Sequence, residues 1–298
     1  MSLARLLLCS APTLFVAAVF VSINNRPLQA QTLKQVRAEV RSENSASPAT
    51  QRDSESQARQ RKSRAYLSNR DSDCDDRSDD ESLWVQIGTG IIKLPFVLPR
   101  AMARDEDFRA GYFRRYPYLH GSESYVTDFA YSERGTAPWL LRLRADYSSD
   151  FDSLSYWGGS VLLDTSSRFG IMSDLYYRQE ELSVGNDSLW NGDTNIVFRF
   201  AQGESLQMRA GAGLNWLADS RDSDFGMNFT YSGDWFPSDP WIVSGELDAG
   251  KLGSADFLHL RATVGAQYHR VELFSGYDHV SIGGAKIGGP VFGLRLWY

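Results

Sequence analysis

From residue 139 to residue 298 apolar and polar side chains alternate with a period of two, and this limits the possible folds more than any motif does. Leu141, Leu143, Ala145 and Tyr147 oppose Arg142, Arg144 and Asp146. Leu206, Met208, Ala210, Ala212, Leu214 and Trp216 oppose Gln207, Arg209, Gly211, Gly213 and Asn215. Phe225, Met227, Phe229, Tyr231 and Trp235 oppose Gly226, Asn228, Thr230, Ser232 and Asp234. Phe292, Leu294, Leu296 and the terminal Tyr298 share one face, with Gly293, Arg295 and Trp297 on the other. Successive strand residues point to opposite faces, so each stretch has one apolar face and one that carries charge. A soluble core would not accept such charges unpaired.

The alternation divides into about ten strands, near 139–147, 154–163, 168–179, 194–202, 205–217, 224–236, 241–250, 256–268, 271–281 and 286–298. With the first strand running outward, the inner connections are the short turns Asp164–Arg168, Gly203–Glu204, Pro237–Pro240 and His269–Arg270. The outer connections include Gln179–Asp193, expected to be the longest loop, and Ala218–Ser223. Trp139, Tyr147, Trp216, Trp235, Trp241, Tyr268, Tyr277 and Tyr298 fall near strand ends, where amphipathic rings favour a membrane interface, though aromatics favour strands in general. The ending at Phe292, Leu294, Leu296 and Tyr298 resembles the C-terminal assembly signal of bacterial outer-membrane β-barrel proteins of the compact class, about ten strands. That resemblance implies an all-β, antiparallel up-and-down transmembrane barrel, preceded by a disordered N-terminal segment. About eight to twelve strands remain open, twelve if 84–92 and 124–132 join the ring.

Residues 1–30 read as a cleaved signal peptide: Arg5 supplies the positive charge ahead of the apolar stretch Leu6 to Ile23, and cleavage is placed after Ala30. An uncleaved anchor helix is the alternative. Leu8 is too large for a lipoprotein signal at Cys9. Cleavage leaves Cys74 as the sole cysteine, which excludes an internal disulfide and a thiolate metal cluster. Residues 31–83 are Ser-, Gln-, Arg- and Asp-rich and are expected to be disordered. Within them, Asp71 to Glu81 imitates a calcium loop, but Asp76 and Ser82 replace the required glycine and glutamate. Residues 84–138 are expected to be an ordered pre-barrel segment acting as a plug, an interfacial element or extra strands. The formal charge of −6 argues against nucleic acid as a partner.

The inward face is expected to carry Arg142, Arg144, Asp146, Asp174, Arg178, Arg199, Arg209, Glu246, Asp248, Arg261, Glu272, Asp278 and Arg295, with His259 among them. Acids and arginines nearly balance, which suits packed ion pairs in a narrow lumen; a gated path for ions or small solutes is the alternative. Asp278 and His279 are adjacent and face opposite ways, so they form no catalytic dyad. No phosphate loop, nucleophile elbow or metal-ligand set is present, and no cofactor or metal is expected. The chain is therefore expected to be a non-catalytic outer-membrane barrel, structural, surface-interacting or a narrow pore. A hydrolase with an Asp and a His at the rim, or a soluble secreted binding protein, stands behind it. Expected partners are outer-membrane lipid, the barrel-assembly machinery and a surface ligand or small solute.

Overall fold

The computed structural model describes residues 31–41, 93–105, 109–119, 125–127 and 136–298. The expected signal peptide, most of the polar segment and the possible strand at 84–92 lie outside these residues. Ten antiparallel strands close into a barrel. They are β4 (Trp139–Ser149), β5 (Leu154–Thr165), β6 (Phe169–Glu181), β7 (Asn186–Gln202), β8 (Leu206–Ala218), β9 (Ser223–Ser238), β10 (Trp241–Leu252), β11 (Ala255–Tyr268), β12 (Val271–Ile282) and β13 (Ala285–Trp297). Each pairs with its neighbours in the chain, and β13 closes the ring on β4. The end that carries Trp139 and Tyr298 is called proximal below, and the other distal.

Burial follows the sequence alternation. In β4 Leu140, Arg142, Arg144, Asp146 and Ser148 are buried, while Trp139 and Tyr147 are exposed. The outer wall exposes Val161, Ile171, Ile196, Leu214, Met227, Leu273 and Phe292, an apolar belt made of strand residues. Trp139, Trp235, Trp241 and Tyr268 ring its proximal edge, and Tyr147, Trp157 and Trp190 its distal edge. Among the described residues no helix is long and apolar enough to cross a membrane.

Two expectations are corrected. The loop expected at Gln179–Asp193 is a hairpin, because Asn186–Asp193 continues β7 and pairs with β6 from Glu181 to Asp174. Asn186, Asp187, Asn191 and Asp193 read as loop residues by composition, yet ladder hydrogen bonds hold them extended. Turns are consequently short at both ends, and the expected asymmetry in loop length is absent among the described residues. The expected count of ten holds: residues 125–127 do not enter the ring, so the twelve-strand alternative is excluded.

Residues 125–127 instead contribute to a second, three-stranded sheet of β1 (Tyr112–Arg114), β2 (Val126–Thr127) and β3 (Thr136–Ala137). Phe113 and Val126 of this sheet, with Tyr118 and Tyr125 outside its strands, join Leu140, Leu162, Met172, Phe236, Ile242 and Trp297 in one buried apolar cluster at the proximal mouth. Tyr125 stacks edge-on against Trp297 at 5.2 Å, and the Tyr118 hydroxyl donates to the Trp241 carbonyl at 2.5 Å. Residues 93–103 form a helix, α2, on the outer wall, where Phe96 packs on Phe200 and Tyr231. Arg168 ties the end of this segment down through Asp105 at 2.5 and 2.7 Å.

The distal mouth holds α1 (Thr32–Val40). Residues 31–41 are thus a corrected part of the segment expected to be disordered. Leu33, Val36 and Val40 lie on one face of the helix and are buried among Leu154, Leu189, Leu217, Leu252, Val280, Ile282 and Ile287. Nine residues would not hold a helix alone, so docking supplies its stability.

Candidate functional site

The inward charges form two separate assemblies. At the proximal level, Arg199, Asp164, Arg209, Asp234 and Arg142 alternate in sign along one chain. Its links measure 2.6, 2.9, 2.8 and 2.7 Å. Arg199 and Arg209 are direct cross-strand partners of like charge, and Asp164 between them offsets the repulsion. Each end of the chain rests on an aromatic face: Arg199 on Phe113 at 4.6 Å and Arg142 on Trp297 at 5.2 Å. Arg295 pairs with Glu272 at 2.6 Å beside it, and Trp297 Nε1 donates to the same carboxylate at 3.0 Å.

The distal assembly centres on Arg144 and Arg261. Arg144 reaches Asp174, Asp146 at 2.9 Å and Glu246 at 3.2 Å. Arg261 reaches Asp146 at 3.4 Å and Asp278 at 2.8 Å. His259 lies between Asp248, at 2.9 Å from Nδ1, and Asp278, at 2.6 Å from Nε2. The Tyr156 hydroxyl also donates to Asp278.

All thirteen residues expected on the inward face point inward, and twelve of them make ion pairs within the described residues. Arg178 is the exception: its Nε donates to Asn191 at 2.8 Å, and no carboxylate pairs with it among the described residues. Sequence reasoning missed Asp164, which it placed in a turn, and left Asp234 out of the inward set although it had put Asp234 on the polar face of its strand with Asn228, Thr230 and Ser232. It also missed that His259 meets two carboxylates, since partners across a lumen depend on register.

An Asp and a His facing the same way is the geometry that a rim hydrolase requires, and His259 supplies it where His279 does not. The surroundings oppose that use. Two carboxylates are both served only by a doubly protonated imidazole, which has no lone pair to take a proton. Glu246, Asp248 and His259 offer donor atoms within 4.8 Å of one another. However, Nδ1 is engaged by Asp248 and Glu246 by Arg144, and Arg261 adds further positive charge. The donors fit an ion-pair network better than a cation.

The distal rim clasps α1. Glu180 accepts from the backbone N–H of Thr32 at 2.8 Å and of Leu33 at 3.0 Å, answering the unpaired amides of the helix N-terminus. Arg37 bridges Asp187 at 2.5 Å and Asp219 at 2.7 Å, and Arg41 bridges Asp219 at 3.2 Å and Asp224 at 2.8 Å. Burial acts to raise the Asp219 pKa, but the amides of Asp222 and Arg221 and the Arg41 guanidinium outweigh it and hold the carboxyl at about 2. A depressed folded value stabilises above the unfolded value near ~4 and is lost as pH falls through the folded one. A dye placed at exposed Lys34 is therefore expected to report a small loosening of α1 as pH falls from about 4 toward 2, the apolar contacts keeping the helix seated. A response centred near pH 6 would mean that another group governs the clasp.

No protein-family model matches the chain, and no curated protein matches it. Eight chains among solved structures do. One is described as "KdgM porin": it is 8% identical, covers 53% of this chain and 98% of that one, and has a TM-score of 0.24. Another, from work described as "Unveiling the Mechanism Behind the in-meso Crystallization of Membrane Proteins", is 10% identical, covers 54% and 83%, and has a TM-score of 0.23. At TM-scores this low, neither likeness says anything about this chain's activity.

Proposed function

We propose that the chain is a non-catalytic outer-membrane barrel of structural or surface-interaction type, occluded along its length, with the proximal end in the periplasm. The exposed apolar belt edged by aromatic rings supports the membrane location. The observation that carries the occlusion is the stack of three obstructions. Leu33, Val36 and Val40 seal the distal mouth, the arginine–carboxylate assemblies fill the middle, and Phe113, Tyr125 and Trp297 seal the proximal mouth. Export, C-terminal recognition by assembly machinery at Phe292, Leu294, Leu296 and Tyr298, and lipid as partner are part of the same reading.

The apolar contacts decide how firmly α1 sits. Three buried aliphatic side chains contribute about 1.5–3 kcal/mol each, whereas ion pairs at a partly exposed rim contribute about 0–1 kcal/mol each. A variant meant to unseat the helix must therefore strike the apolar face, as Val36→Asp does. In planar-bilayer recordings both the wild type and Val36→Asp are expected to be silent, because the lumen charges and the proximal seal remain. Stepwise conductance in Val36→Asp alone would make α1 a gate and replace this reading with that of a narrow pore. Recovery in the soluble fraction, with no mobility shift on boiling, would sink the membrane assignment.

A further inference from the structure

The helix α2 is apolar on two opposite sides. Leu94, Val97, Leu98 and Met102 recur at the spacing of one helical face and are between 52% and 68% exposed. Phe96 lies on the other side, against Phe200 at 5.0 Å and Tyr231 at 6.0 Å. Ala103 closes that side against the turn between β7 and β8, where a Cβ at Gly203 would stand 2.6 Å from its carbonyl oxygen. The barrel wall thus receives one apolar face and leaves the other uncovered. A helix that is apolar all round belongs in an apolar medium.

The backbone of α2 points the same way. Pro99 has no N–H, so the Pro95 carbonyl loses the helical bond from four residues on. The Tyr231 hydroxyl donates to that carbonyl at 2.7 Å instead. In water a freed carbonyl finds solvent, whereas in hydrocarbon it must find a donor on the protein. Tyr231 shares the outer face of β9 with Met227, Phe229 and Trp235. It stands four residues further from the proximal end than Trp235, which belongs to the aromatic ring at that edge. The helix therefore reaches past the ring and onto the apolar belt. In chain order α1 lies at the distal mouth, α2 on the outer wall and β1 at the proximal mouth, so the described elements pass outside the filled lumen.

We infer, on the membrane reading above, that α2 is sunk in the proximal leaflet, with Leu94, Val97, Leu98 and Met102 among phospholipid acyl chains. The stripe continues the belt of β9 and widens the surface that the barrel offers to lipid. Lys93 and Arg104 are exposed at the two ends of the helix, where long stems let their charges reach the headgroups.

The test is quenching of a bimane dye at Val97→Cys in the full chain, carrying Cys9→Ser and Cys74→Ser, in phosphatidylcholine vesicles. Leu214→Cys on the belt and Asp256→Cys on a distal turn are the references, and each labelled protein is first checked for the boiling-dependent mobility shift. Brominated acyl chains are expected to cut the emission at Val97 about twofold or more, as at Leu214, and to leave Asp256 bright. Aqueous iodide should do the reverse. Tyr231→Phe strands the Pro95 carbonyl and should raise iodide quenching at Val97 about twofold or more, with Leu214 unchanged. Iodide reaching Val97 as it reaches Asp256 would put α2 in water and overturn the inference. An unchanged Val97 in Tyr231→Phe would mean that water already serves that carbonyl, and would overturn it too. So would emission that falls with the labelled fraction of protein and not with bromine, since a second copy would then cover the stripe. If Leu214 also escapes the brominated chains, the membrane reading itself falls, whereas quenching at Leu214 alone sinks only the placement of α2.

Discussion

Replacing Asp164 with alanine is expected to destabilise the barrel by about 3–5 kcal/mol, among the largest effects of any single substitution in the lumen. Asp164 is fully buried and answers two guanidiniums, Arg199 at 2.6 Å and Arg209 at 2.9 Å. Its removal leaves two like charges facing each other across paired strands, with no water to screen them. The comparison is Asp256→Ala, whose partner Lys251 lies at 2.8 Å but where both side chains are more than half exposed. That change should cost about 1 kcal/mol or less. Urea-unfolding midpoints of the two variants, read by the mobility shift, separate the cases. Equal shifts would mean that water reaches Asp164 and that the middle of the barrel is wet.

Trp297→Ala is expected to cost a similar amount, about 3–5 kcal/mol, for a different reason. Trp297 is 0% exposed and touches Tyr125 and Phe236, so truncation opens a cavity in the proximal seal. It also removes the hydrogen bond that Trp297 Nε1 donates to Glu272 and the ring face on which Arg142 rests. Trp297→Phe should recover most of the packing but not the bond to Glu272, and so fall between the two. If Trp297→Ala unfolds at the wild-type midpoint, the three-stranded sheet is not seated on that ring.

Much of the barrel could be read from the residues. The period-two alternation placed the strands and their inward faces, because one slipped register would move every charged residue into lipid. The connections were harder. Asn186 to Asp193 is polar enough for a loop, and only its partner strand shows it to be extended. The α1 helix carried a faint signal in the spacing of Leu33, Val36 and Val40, too few apolar residues to suggest a helix without the mouth that receives them. Within the lumen the acids and arginines were visible as a set but not as pairs. Arg142 meets Asp234 across 92 positions of sequence, and only closure of the ring sets such a distance. Arg178 looked like every other arginine in the set, and that no carboxylate pairs closely with it among the described residues emerged only in three dimensions.

The join between β13 and β4 bears on how the protein comes into being. Every other strand pair links consecutive segments joined by a short turn. The join alone pairs the first strand of the ring with its last, and it is held by seven register pairs where the β4–β5 ladder has eleven. Bringing its ends together costs little more than for a shorter loop, since that entropy grows only with the logarithm of length. Closure of the ring therefore rests on a ladder shorter than that of any other strand pair in it. Until it occurs, β4 and β13 are two bare edges that another nascent chain can occupy.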